Sequence, residues 1–200
     1  MAIIDLTGKD IGAPKINGSI QSMEGGFTII SGGEDIWNEK DQFHFGYQEW
    51  FGDFDFITRI GSLTRADLYS KAGIMARETL DPGSKHVFLL TFPDNSLRNN
   101  NNGGIEFAYR SETNGKSLAI YPPKGISNPP DFPVCFPNTW LRLKRSGTTF
   151  TSFYSGDGQD WKTYTTFELK IPDLLLVGLA VTSHNTEESV KSTFFDVSIQ

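Results

Sequence analysis

Two cations and a histidine stand where alternate-residue geometry would bring them to one face of a sheet. In KAGIMAR (Lys71–Arg77), Lys71, Gly73, Met75 and Arg77 share one parity, and Ala72, Ile74 and Ala76 share the other. In VGLAVTSH, Val177, Leu179, Val181 and Ser183 take one face, whereas Gly178, Ala180, Thr182 and His184 take the opposite one. The bulky faces read as core. A face of Gly, Ala and Thr ending in His reads as the floor of a shallow polar groove. His44 lies opposite Phe43 and Phe45 in parity and is expected to point away from the core. Such a groove suits a polyhydroxylated ligand: planar donors and acceptors bind hydroxyl pairs, and aromatic faces cover the apolar side of a pyranose ring. His44, Lys71, Arg77 and His184 are candidates for the first task, and Trp37, Tyr47 or Trp50 for the second. The competing reading is surface pairing of Arg77 with Glu78 and Lys71 with Asp67, worth at most about 1 kcal/mol.

Catalytic signatures are weaker. A retaining glycosidase needs two carboxylates about 5–5.5 Å apart, and the nearest candidate is EDIWNE, with Glu34, Asp35 and Glu39. Glu34 and Glu39 fall on opposite faces of a regular strand, and Asp35 adjoins Glu34 rather than alternating with it. There is no Gly-x-Ser-x-Gly elbow, P-loop or His-Glu-x-x-His. The histidines at 44, 86 and 184 lack metal-ligand spacing. For a hard cation, Asp10 near the start and Asp196 near the end are candidate ligands of a structural Ca²⁺ tying paired terminal segments together. The competing reading is a capping turn and a surface aspartate. Cys135, the single cysteine, sits in PVCFP and is expected to be a buried, inert thiol. In YSGDGQDW, Ser155, Asp157 and Gly158 predict a side-chain-stabilised turn, with Trp161 folding back as a plug; this motif is similar to the Asp-box turns of β-propeller sialidases.

The elements that must position these residues are strands. Helical periodicity is nearly absent, and alternation bounded by Gly, Pro, Asn or Asp recurs along all 200 residues. Strands are predicted over 19–23, 26–31, 43–50, 54–60, 71–77, 85–90, 105–110, 118–121, 140–146, 148–155, 162–169, 175–182 and 192–199. Many short strands without helices point to one all-β sandwich domain spanning 1–200. The Asn-rich stretch 97–104 reads as a hairpin tip, and the Pro-rich stretch 121–137 as a loop or edge. A net charge of −6 argues against nucleic acid as a partner. No window resembles a membrane span or a signal peptide. The chain as given is thus compatible with the cytoplasm, or with a module cut from a secreted protein, and Lys and Pro near strand edges favour a monomer.

Seven segments in order carry a resemblance: DIGAPKINGS (10–19), EDIW (34–37), QFHFGYQ (42–48), KAGIMARETLDPGSKHVF (71–88), WLRLKRSGTTFTSFYSGDGQDW (140–161), VGLAVTSHN (177–185) and FFDVSI (194–199). The chain resembles the concanavalin A-like lectin/glucanase superfamily, in the accessory-module branch appended to bacterial glycoside hydrolases (DUF1349-like). The resemblance implies an antiparallel jelly-roll β-sandwich of two sheets and a non-catalytic role in binding a glycan or polysaccharide. The alternatives are an intracellular interaction or regulatory protein, which the missing signal peptide keeps open, and a glycoside hydrolase.

Overall fold

A computed structural model describes residues 4–98, 104–122 and 129–200. Its strands are β1 (Thr7–Ile11), β2 (Ser19–Met23), β3 (Gly26–Gly33), β4 (Ile36–Trp37), β5 (Lys40–Asp41), β6 (Phe43–Phe51), β7 (Phe54–Leu63), β8 (Lys71–Arg77), β9 (His86–Thr91), β10 (Ile105–Arg110), β11 (Leu118–Ile120), β12 (Thr139–Ser146), β13 (Thr149–Ser155), β14 (Lys162–Glu168), β15 (Leu174–Thr182) and β16 (Asn185–Ile199). Among the described residues they form two antiparallel sheets, β1-β6-β15-β8-β9-β10-β11 and β14-β13-β12-β7-β16-β3-β2, with β4 and β5 pairing as a separate ribbon. The architecture is the jelly-roll sandwich. No helix of the described residues is long and apolar enough to cross a membrane. The expected hairpin tip and Pro-rich segment lie partly outside the described residues, at 99–103 and 123–128.

The core between the sheets follows the period-2 pattern. Ala72, Ile74 and Ala76 of β8 and Val177, Leu179 and Val181 of β15 pack there with Phe56, Ile60, Leu141 and Phe194. The short ribbon, β1 and the leading part of β16 escape prediction because their residues do not alternate by polarity.

The other face of the first sheet departs from expectation. Pairing registers lay its residues in rows: Phe45, Ala180, Gly73, Leu90 and Glu106; Tyr47, Gly178, Met75, Phe88 and Ala108; Leu176, Arg77, His86 and Arg110. Phe45, Met75, Phe88, Leu90 and Ala108 form a second apolar cluster, which Ile36 of β4 completes. The β4–β5 ribbon therefore lies over this face and fills most of what would be an open groove.

Within the sheet, a close approach of β6 to β15 requires glycine at position 178. A Cβ there would stand 2.0 Å from the Gly46 carbonyl oxygen of the neighbouring strand. Gly178→Ala is expected to lower stability by about 1–3 kcal/mol through strand displacement, read as a lower urea midpoint with an unchanged m-value. A midpoint within error of the parent would show that the strands part at no cost.

Several positions correct the sequence reading. His44 does not share the face of Lys71. Phe43 and Phe45 fill the ribbon-covered cluster, so His44 turns inward at the sheet edge, 4% exposed, against Gly8 and Gly18. The termini do not pair: β1 joins β6 in one sheet, and β16 lies between β7 and β3 in the other. Cys135 is exposed, because its neighbour Val134 takes the buried position in that loop. The Asp157 turn forms as expected, its carboxylate accepting from the amides of Gln159 (2.8 Å) and Asp160 (2.9 Å). Trp161 is half-buried beneath the Arg142 guanidinium of the adjoining strands.

Candidate functional site

The ribbon leaves one end of the face uncovered, beside Lys71 at the start of β8. Here Asp35, Trp37, Tyr69, Lys71, Arg98, Glu106, Tyr121 and His184 line a cavity of about 230 Å³. Three hydroxyls position its walls. Thr182 Oγ1 donates to Gln42 O at 2.9 Å, Ser183 Oγ lies 3.0 Å from Gly33 O, and Ser70 Oγ donates to Ser183 O at 2.7 Å. They tie the end of β15 and the β15–β16 turn to Gln42 between β5 and β6, to the end of β3 and to the loop before β8.

His184 occupies that turn with φ 55°, a left-handed conformation uncommon for residues other than glycine. The turn aims its ring between two carboxylates: Nε2 lies 3.2 Å from Asp35 Oδ2, and Nδ1 lies 3.1 Å from Asp67 Oδ1. A neutral imidazole has one donor and one acceptor nitrogen, so only the imidazolium satisfies both contacts. The hydrogen bond to Asp35 accordingly raises the His184 pKa above its ordinary value, against the opposing effect of burial. Asp35 also pairs with Lys71, whose side chain is 4% exposed. Burial pushes the Asp35 carboxyl upward, but Lys71 and His184 together outweigh it and hold the group below the usual carboxylate range.

Aromatic groups frame these charges. The Tyr69 ring centroid lies 5.4 Å from that of His184, and Trp37 rests on the ribbon-covered cluster. Burial, then Glu106 and Tyr69, raise the pKa of Tyr121, which stays a neutral hydroxyl able to donate and accept. Arg98 stacks 4.4 Å from the Phe92 ring centroid, bonds Asp94 Oδ1 at 2.8 Å, and donates to the carbonyls of Leu68 and Ser96, each at 2.7 Å.

Of the sequence-derived candidates, the structure brings together Trp37, Lys71 and His184. It places the other four elsewhere. Arg77 is fully buried at the far end of the face, bonded to Thr79 O at 2.7 Å and 3.4 Å from Asp41 Oδ2. Its predicted partner Glu78 is replaced by Asp41, and Lys71 pairs with Asp35 rather than Asp67. Tyr47 stacks on Phe45, ring centroids 5.3 Å apart, outside the cavity. His44 Nδ1 contacts Asp10 Oδ1 at 2.7 Å, and that carboxylate also accepts from the Gly18 amide at 3.0 Å. Trp50 is engaged with the Asp53 carbonyl at 2.8 Å. Asp196 pairs with Arg59 at 2.7 Å on the other sheet, so it shares no site with Asp10. Among the described residues no group of three or more His, Cys, Asp or Glu could hold a metal ion.

Sequence reasoning missed Tyr69, Arg98, Glu106 and Tyr121. Glu106 alone carried a local signal, as a carboxylate inside the otherwise apolar run IEFAY. Asp35 stood out only as a catalytic candidate.

No protein-family model matches the chain, and no curated protein matches it. Solved structures do. A protein of unknown function from Saccharomyces cerevisiae is similar at 20% identity with a TM-score of 0.67, covering 96% of this chain and 95% of that one. The GH43 protein BlXynB of Bacillus licheniformis is similar at 11% identity with a TM-score of 0.59, over 88% of this chain and 33% of that one. A legume lectin-like domain from Entamoeba histolytica is similar at 9% identity with a TM-score of 0.52, over 98% and 89% of the two chains. These likenesses establish the concanavalin A-like sandwich as the fold.

Proposed function

We propose that the protein is a non-catalytic carbohydrate-binding module of the accessory type found beside glycoside hydrolases, taking a glycan into the cavity at the Lys71 end of the first sheet. The observation that carries this reading is the cavity's composition: the rings of Trp37, Tyr69 and Tyr121 surround Asp35, Lys71, Glu106 and His184. Aromatic rings supply faces for the apolar side of a sugar, and the charged groups offer strong donors and acceptors to its hydroxyls. Lectin-like and GH43 folds among the similar structures support the same ligand class.

The state of Asp35 supports binding over hydrolysis at this carboxylate. A glycosidase needs one carboxyl whose pKa is raised so that it can protonate the leaving oxygen. Asp35 is shifted the opposite way and is occupied by Lys71 and His184.

A glycan array, followed by calorimetry on the positive sugars, tests the proposal. Trp37→Ala is expected to weaken binding about tenfold or more, an effect of the size seen when an aromatic contact is removed, while the melting temperature falls by only a few degrees. A blank array would refute the proposal and favour a protein-interaction role. Release of reducing ends from polysaccharide would favour the hydrolase instead.

A further inference from the structure

The inner cavity is not isolated. On the far side of Asp35, Trp37 and His184 lies a second, more open cavity of about 640 Å³, reached by Glu34, Asn38, Glu39, Lys40, Asn185 and Thr186. The three residues line both spaces and form a ridge between them.

Volume and charge together narrow the ligand. A cavity of about 150 Å³ holds a benzene ring, so the inner space of about 230 Å³ suits one six-membered ring with its hydroxyls, and no more. A chain continued past Asp35, Trp37 and His184 would enter the outer space. The cations of the inner cavity are already matched. Lys71 faces Asp35, His184 sits between Asp35 and Asp67, and Arg98 is held by Asp94 and backbone carbonyls. A ligand carboxylate would have to displace one of these half-buried partners, and at the outer cavity it would meet Glu34 and Glu39 against the single Lys40. Hydroxyls meet no such penalty.

We infer that the ligand is an uncharged oligosaccharide of at least two units, one ring in the inner cavity and the next across the Asp35–Trp37–His184 ridge. This rests on the carbohydrate reading above and adds length and charge selection to it. His184 becomes a specificity-determining residue that touches both units.

Calorimetric titration of the full chain tests it, using xylo-, cello- and manno-oligosaccharides of one to four units, with mannuronate and galacturonate oligomers of the same lengths. At least one neutral series is expected to gain about tenfold in affinity from one unit to two, and the uronates are expected to bind at least about tenfold more weakly. In Thr186→Trp, whose indole would occupy the outer cavity, the disaccharide should fall to the level of the monosaccharide. Affinity independent of length, or a Thr186→Trp protein that keeps the disaccharide advantage, overturns the two-cavity inference and leaves the carbohydrate reading standing. Tighter binding of uronates overturns the charge selection. Failure of every saccharide to bind overturns the carbohydrate reading itself.

Discussion

Asp41→Ala is expected to lower the free energy of unfolding by about 3–5 kcal/mol, the cost typical of removing one partner from a buried ion pair. Asp41 lies at the end of β5 and is fully buried, as are the two guanidiniums that face it. Arg110 binds both carboxylate oxygens, at 2.6 and 2.8 Å, and Arg77 stands 3.4 Å away. His86 adjoins them at 3.8 Å, but burial, and then the two arginines, drive its pKa well down, so it stays neutral. Burial lowers the Arg77 pKa to about 10, which still leaves the group cationic at neutral pH. Alanine would strand two positive charges where water cannot reach them. Against a typical stability of about 5–15 kcal/mol, this is a large fraction.

Because Asp41 anchors the ribbon that carries Trp37, its loss should also loosen the site. Denaturant unfolding of Asp41→Ala, alongside a triple variant with Asp41→Leu, Arg77→Met and Arg110→Met, checks the argument. The triple variant is expected to recover much of the loss, since buried ion clusters often yield to apolar residues at little cost. A loss below about 1 kcal/mol for Asp41→Ala would show that the ribbon is held by Ile36 and its apolar neighbours alone.

Asp35→Ala is expected to abolish measurable glycan binding and to cost about 1–3 kcal/mol in stability, because it leaves the buried Lys71 ammonium and the His184 ring without their shared partner. It should also change how the protein responds to pH. In the folded chain His184 titrates above its ordinary value of about 6.5, first because of its bond to Asp35. The folded state therefore holds the proton more tightly than the unfolded state. Its stabilising effect is complete below about pH 6.5 and is lost as pH rises through the folded pKa. Above that point one ring nitrogen presents a lone pair to a carboxylate, and glycan affinity is expected to fall with it. NMR titration of the His184 ring should give a raised pKa in the parent and a return toward about 6.5 in Asp35→Ala. His184→Asn, which tolerates the left-handed turn, should flatten the decline in stability above about pH 6.5. Parallel stability profiles for parent and His184→Asn would remove His184 from this role.

Parity made part of the site legible. Parity puts Lys71 and Thr182 each on one face of its strand, and the observed register makes them partners; His184 lies two residues beyond Thr182, where the turn returns its ring to the same end of that face. The same rule misplaces His44, because it sets Phe43 and Phe45 against the core between the sheets. A second apolar cluster on the opposite side of the sheet reverses that inference. It also misplaces Arg77, which has the parity of Lys71 but lies beneath the ribbon rather than in a groove.

The sequence by itself determined most of the strands, the sandwich and the face on which Lys71 stands. Strand formation and the side a residue points to depend on near neighbours and a period of two. The tertiary structure alone decided which part of that face stays open. The residues that cover it arrive from far along the chain: Asp35 reaches Lys71 across 36 positions, and Asp41 reaches Arg110 across 69. Periodicity tells each residue its side of the sheet, but only long-range packing tells it whether that side meets solvent, a ligand or another strand.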